Sequence, residues 1–125
     1  MPARIFIVHD DPTFSQEARS SLEAAGHTVA TYDDPMAALD ALESAHQIGL
    51  LITRANFGPR RLNGIALARM VRHKRPAIRV LFTASPEYES DADGLGEFLP
   101  APFHVDDVVE VAERLLQNSS KQRQR

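Results

Sequence analysis

The residues with chemistry in them are few and far apart in the chain. His9, Asp10 and Asp11 stand together ahead of Pro12, while Arg54, Thr83 and Ala101 lie in three later segments. Adjacent carboxylates immediately before a proline can cap a helix. A histidine beside them could titrate near neutral pH or ligate a metal. One histidine with two carboxylates is a weak metal signature, so no metal is expected, with Asp10 and Asp11 the donors if there were one. Arg54 is protonated at any ordinary pH and is not a nucleophile. Facing Asp10 or Asp11 at about 4 Å, it would gain about 4 kcal/mol at an effective dielectric of 20, before desolvation takes much of that back. Pairing and a solvent-directed Arg54 both stay open at this point.

Local signals supply the elements that must position these side chains. Residues 5–8 form an apolar run that reads as a strand. Asp11 and Pro12 open a helix over 13–25, with Phe14, Ala18, Leu22 and Ala25 at helical spacing and Gly26 where a left-handed cap is wanted. Residues 28–32 are β-branched and aromatic, Asp33, Asp34 and Pro35 make a second helix start, and Met36, Leu39 and Leu42 form one apolar face. A strand over 48–53 comes next. A helix carrying Ile65, Ala68, Met70 and Val71 stops near Arg75 ahead of Pro76, and a strand occupies 78–83. Residues 91–95 allow a short fourth helix and 97–99 a short fifth strand. The last helix, 105–116, turns Val105, Val108, Ala112 and Leu115 inward.

Strands that read as apolar runs and alternate with helices belong to a parallel sheet covered on both faces. The expected class is α/β: a flavodoxin-like (βα)5, doubly wound parallel five-stranded sheet of order 2-1-3-4-5. Ligands of such sheets sit beyond the carboxyl ends of the strands, which is where His9, Asp10, Asp11, Arg54, Thr83 and Ala101 would gather.

Length and composition agree with one domain. A chain of 125 residues, 43% hydrophobic and without cysteine, can bury roughly two-thirds of its unfolded surface and needs no disulfide. Its apolar runs are too short to span a bilayer, and residues 1–4 lead into no secretory segment, so a soluble cytoplasmic protein is expected. Residues 117–125 carry Lys121, Arg123 and Arg125 and no acid, so a net charge of −3 leaves −6 on the remainder. An acidic body argues against nucleic-acid binding. The domain is expected to end at 116, with 117–125 a basic, disordered tail.

Five segments in order resemble the receiver domain of two-component response regulators. They are Arg4-Ile-Phe-Ile-Val-His-Asp-Asp-Pro12, Leu50-Leu-Ile-Thr-Arg54, Leu62-Asn-Gly-Ile-Ala-Leu-Ala-Arg69, Val80-Leu-Phe-Thr83 and Phe98-Leu-Pro-Ala-Pro-Phe103. The resemblance covers about residues 3–116. It implies an acidic pair for Mg2+ after strand one, an aspartate as phosphoryl acceptor after strand three, a hydroxyl after strand four and a lysine after strand five. At those places stand His9 and Asp10 (or Asp10 and Asp11 in an alternative register), Arg54, Thr83 and Ala101. The acceptor position is thus a guanidinium and the lysine position an alanine. Phe98 matches the family's aromatic switch position, although a phenylalanine there also reads as core, and Thr83 also reads as an ordinary strand residue.

The resemblance therefore implies a degenerate, pseudo-receiver-like module that acts in phosphorelay signalling by protein interaction, is not an enzyme and uses no cofactor beyond weak Mg2+. Its expected partner is another signalling protein, a sensor kinase, phosphotransfer protein or output protein, reached through the face of helix four, strand five and helix five. That face would present Phe98, Asp106, Asp107, Glu110 and Arg114. A homodimer is possible; nucleic acid and membrane are not expected. No DNA-binding or enzymatic output domain is expected after Leu116, so output would be expected to pass through another protein. Two rivals remain: phosphorylation at a non-standard residue such as His9, and a flavodoxin-like small-ligand sensor, against which Asp10 and Asp11 would repel an anion.

Overall fold

Five short segments rich in Ile, Leu, Val and Phe lie side by side as parallel strands, and a helix returns the chain to the same end of the sheet after each. A computed structural model describes residues 3–45, 47–59 and 62–123, the last six of them as backbone. Its elements are β1 (Arg4–Val8), α1 (Pro12–Ala24), β2 (Thr28–Tyr32), α2 (Pro35–Ser44), β3 (Leu50–Arg54), α3 (Gly64–Lys74), β4 (Arg79–Ala84), α4 (Glu89–Ala92), β5 (Glu97–Pro100) and α5 (Val105–Arg123), with a 3-10 turn at Pro86–Tyr88. All pairings are parallel and the order is β2-β1-β3-β4-β5, the flavodoxin-like arrangement expected from the sequence. None of the helices described is long and apolar enough to cross a membrane.

Because successive strand residues face opposite sides, each strand feeds two core layers. Phe6, Val8, Leu51, Val80 and Phe82 lie under Ala38 and Leu42 of α2 and Ile65, Ala68 and Val71 of α3. Ile5, Ile7, Leu50, Ile52 and Leu81 lie under Phe14, Ala18 and Leu22 of α1 and Val108, Ala112 and Leu115 of α5. Each large side chain so buried stabilises the fold by roughly 1.5–3 kcal/mol.

The ends of the helices are specified locally. Asp11 caps α1, its Oδ1 accepting from the Thr13 and Phe14 amides at 3.0 and 3.4 Å. Gly26 adopts the left-handed φ of +99° that was expected beyond α1. Asn63 caps α3 by accepting from the Ala66 amide at 2.7 Å. At the amino edge of the sheet a buried imidazole joins three segments. His27 Nδ1 accepts from the Ala3 amide at 3.0 Å, and Nε2 lies 2.6 Å from Glu113 Oε1 on α5.

Several expectations need correction. Met36 was grouped with Leu39 and Leu42 on one apolar face, yet it is exposed, because the buried line of α2 is Pro35, Ala38 and Leu42; Met70 is exposed as well, the buried line of α3 including Ile65, Ala68 and Val71. A neighbouring residue on a helix is turned by about 100°, enough to move an apolar side chain out of the core. Ala25 is likewise exposed. The fourth helix begins before residue 91 and stops at Ala92, just ahead of Gly94 with φ +81°. α5 runs on to Arg123, with no glycine or proline to stop it, through residues expected in the tail. Gln124 and Arg125 lie outside the described residues.

One glycine decides how closely α3 approaches β3. A Cβ at Gly64 would lie 1.6 Å from the Arg54 carbonyl oxygen, a backbone atom that no rotamer change can move. The Gly64 amide meanwhile donates to Ala55 O at 3.0 Å. Gly64→Ala is therefore expected to destabilise the domain by about 3 kcal/mol, at the upper end of overpacking costs. Urea unfolding of the two proteins checks this, and an unchanged midpoint would refute it.

Candidate functional site at the carboxyl edge

The sheet itself fixes the backbone of the site, because its hydrogen bonding runs one residue beyond the strands. The His9 amide donates to Tyr32 O at 3.0 Å, Ala55 to Thr83 O at 3.2 Å, and Ala101 to Ala84 O at 2.8 Å. Arg54 pairs in register with Thr83, and Thr83 with Leu99. The segments that hold His9, Asp10, Arg54, Thr83 and Ala101 are thereby brought to one edge of the sheet. The Asn63 cap and Gly64 seat the start of α3 against the Arg54 carbonyl.

Three consecutive residues after β1 take three different roles. Asp11 is the N-cap of α1, with its carboxylate turned to the helix amides. Asp10 accepts a hydrogen bond from Arg54 Nη1 at 2.7 Å, so the paired orientation of Arg54 is the one adopted. Both side chains stay about a third exposed, 34% for Asp10 and 39% for Arg54, which puts the pair among surface ion pairs worth about 0.2–1 kcal/mol rather than buried ones. Burial alone would raise the Asp10 carboxyl, but the hydrogen bond and charge of Arg54 outweigh it and hold its pKa below the ordinary value.

His9 is buried, with its ring 4.4 Å from that of Phe14. Its Nδ1 accepts from the Asp11 amide at 3.1 Å, so Nδ1 carries no proton and the ring is the neutral Nε2–H tautomer. Burial first, and then the positive charge of Arg54, lower its pKa to about 4 against the raising influence of Asp10 and Asp11. The expectation that His9 titrates near neutrality is therefore corrected. The two causes act together because protonation would place a second cation in a confined space beside the guanidinium.

Thr83 is 1% exposed, and its hydroxyl has no hydrogen-bond partner among the described residues. Phe98 is half-buried and packs against the core layer that contains Phe82. Ala101 is exposed and offers only a methyl group; its peptide bond to Pro102 is cis. Asn56 lies in the loop that follows β3. It holds two loops together, Nδ2 donating to the Tyr88 hydroxyl at 2.6 Å while Oδ1 accepts from the Gly58 amide at 3.0 Å. Phe14 also touches Phe103 edge-on at 5.8 Å, continuing an aromatic contact from His9 to the segment before α5. Neither link had a signal in the sequence, since both join loops distant in the chain.

The lowered pKa of His9 has a consequence for stability. As pH falls below 6.5 the unfolded chain binds this proton first, so stability declines between pH 6.5 and about 4. Asp10 acts in a lower window: its pair is fully present above pH 3.8 and is lost only as pH falls through the depressed pKa. Between pH 7 and pH 5 the wild type should lose roughly 2 kcal/mol through His9. His9→Gln should lose less by that amount in urea titrations at the two pH values, and parallel losses would disprove the assignment.

The family model for the response regulator receiver domain matches residues 5–113. The chain is 28% identical over 118 residues to the response regulator receiver protein CpdR of Brucella abortus (strain 2308), covering 90% of this chain and 96% of that protein. It is 26% identical over 125 residues to the DNA-binding transcriptional regulator NtrC of Escherichia coli K12, covering 96% of this chain but only 26% of NtrC, so it spans about a quarter of that relative's length. Among solved structures it resembles the CheY-like receiver domain protein of Methanospirillum hungatei JF-1, with TM-score 0.84 over 98% of this chain and 99% of that one, at 20% identity, a likeness of fold. With the family's model matched from β1 into α5 on a sheet of the same order, this chain belongs to the receiver domains of response regulators, the modules of two-component signalling.

Proposed function

We propose that this receiver domain works as a phosphorylation-independent protein-interaction module. The observation that carries the reading is the Arg54–Asp10 ion pair at 2.7 Å, formed where the family resemblance calls for a phosphoryl-accepting aspartate. A guanidinium cannot accept a phosphoryl group, and Ala101 supplies no ammonium to neutralise one. The donor set does not fit Mg2+ either. Of the two candidate carboxylates, Asp10 is turned to a fixed cation and Asp11 to the amides of α1. A hard divalent cation prefers several oxygen ligands, and no group of three or more His, Cys, Asp or Glu able to hold a metal occurs among the described residues.

Without a phosphoryl group, nothing at the pocket offers the differential binding energy that would shift the domain between two states. Output then rests on a surface available at all times, and the face of α4, β5 and α5 is our choice for it, with a signalling protein such as a kinase or output protein as partner. Exposed Asp106 and Glu110 and half-buried Phe98 lie there. Arg114 pairs with Glu97 at 3.1 Å, and Asp107 accepts from the His104 amide at 3.0 Å, so Asp107 serves the start of α5 as well as the surface.

Two results are expected. Incubation with Mg2+ and acetyl phosphate should leave the intact mass unchanged, and millimolar Mg2+ should leave Tm unmoved, whereas Arg54→Asp should gain stabilisation by Mg2+. A stoichiometric base-labile phosphoryl adduct on the wild type would overturn the reading. Binding of a partner recovered by co-purification should survive Arg54→Ala and fall at least tenfold, about 1.4 kcal/mol, on Phe98→Ala or Asp106→Lys/Glu110→Lys. A tenfold loss on Arg54→Ala alone would show that the pocket still signals.

A further inference from the structure

A groove of about 390 Å³ runs between α2 and α3, toward their carboxyl ends and away from the site. Leu42 and Val71 form its buried floor, and Leu39 and Met70 its apolar walls. We propose that this groove docks an amphipathic helix of a partner protein whose apolar side chains are flanked by carboxylates, on a surface separate from the α4–β5–α5 face.

Charge complementarity argues for the acidic character of the occupant. α3 carries Arg69, Arg72 and Lys74 and no acid, followed directly by Arg75, in a chain otherwise dominated by carboxylates. Two of these cations serve the fold: Arg72 donates to Gly94 O and Leu95 O, and Arg75 to Leu42 O and Ala45 O. The other two stand at the groove. Arg69 makes no hydrogen bond or ion pair to a described residue, and Lys74 reaches only Glu43 at 3.6 Å, with both of those side chains more than half exposed. Arg69 and the loosely paired Lys74 are too few for the phosphate contacts that give nucleic-acid affinity, but they suit carboxylates at the rim of an apolar anchor.

The apolar part has its own evidence. Among the described residues, Met36 on α2 and Met70 on α3 are the large hydrophobic side chains left exposed, at 50% and 42%. Met36, Leu39 and Glu43 recur at i, i+3 and i+7, so the α2 wall continues past the groove toward Met36. A flexible thioether lining the groove, that of Met70, fits a helix laid into it, the mode in which apolar anchors at i, i+3 or i+4 and i+7 enter a cleft.

The test is a titration of the 15N-labelled full chain with a synthetic amphipathic helix bearing leucines at i, i+3 and i+7 and glutamates beside them. A second peptide has lysine for every glutamate. Amide shifts confined to residues 36–43 and 69–74 are expected with the glutamate peptide, weakening with salt and absent with the lysine peptide. Arg69→Glu/Lys74→Glu and, separately, Met70→Ser should each lower affinity at least tenfold while Arg54→Ala leaves it unchanged, each variant first shown to keep the wild-type Tm. Arg69 and Lys74 are both exposed, so the charge variant carries the test if Met70→Ser folds poorly. No shifts at millimolar peptide, shifts on α5, equal binding of the lysine peptide, displacement by duplex DNA, or groove shifts on concentrating the protein alone would each overturn the proposal, the last two by naming nucleic acid or a second copy as occupant.

Discussion

A parallel sheet leaves neither face to water, and most of what this domain does follows from that constraint. β1, β3 and β4 must be apolar on both sides, and helices must cover both layers, so chemistry is displaced to the strand ends. There the segments that follow β1, β3 and β5 are held by backbone hydrogen bonds that extend the strand ladder. The same constraint makes Gly64 indispensable, because α3 can cover its layer only if its first turn passes directly over the Arg54 carbonyl.

How much of this was legible in the sequence depends on how local each signal is. Asp11 with Pro12 and Gly26 specify helix ends within a few residues of themselves, and each appears in the structure at its expected place; the Asn63 cap of α3 is a local signal of the same kind that was missed. The apolar runs named the strands, with ends shifted by a residue or two as such boundaries are. Met36 was misplaced because helical spacing tells which residues share a face but not where the face ends. The extent of α5 was missed for want of a stop signal, and the Asn56–Tyr88 bond because nothing local records which loops meet.

Within the site, the identities at positions 9, 10, 54 and 101 were readable, but their states were not. Whether Arg54 pairs or faces water is a choice between rotamers, and the structure shows it paired yet still a third exposed. The protonation of His9 depends on burial by Phe14 and on a cation forty-odd residues away, neither of which its neighbours in sequence reveal. His9, Asp10 and Asp11 look alike as a polar cluster. In three dimensions each has already committed its polar atoms to a different partner.

The imidazole of His27 accepts a hydrogen bond from the Ala3 amide just before β1 and turns its Nε2 to the Glu113 carboxylate in the middle of α5, and Leu116 comes within reach of the same corner beside Gly49. Both ends of the described fold thus leave from the edge of the sheet opposite Arg54, separated from it by the length of a strand, roughly 17 Å. A fluorescent protein, affinity tag or neighbouring domain joined at either end would therefore hang below the sheet, leaving the carboxyl edge sterically open. For attachment purposes the domain has a single underside.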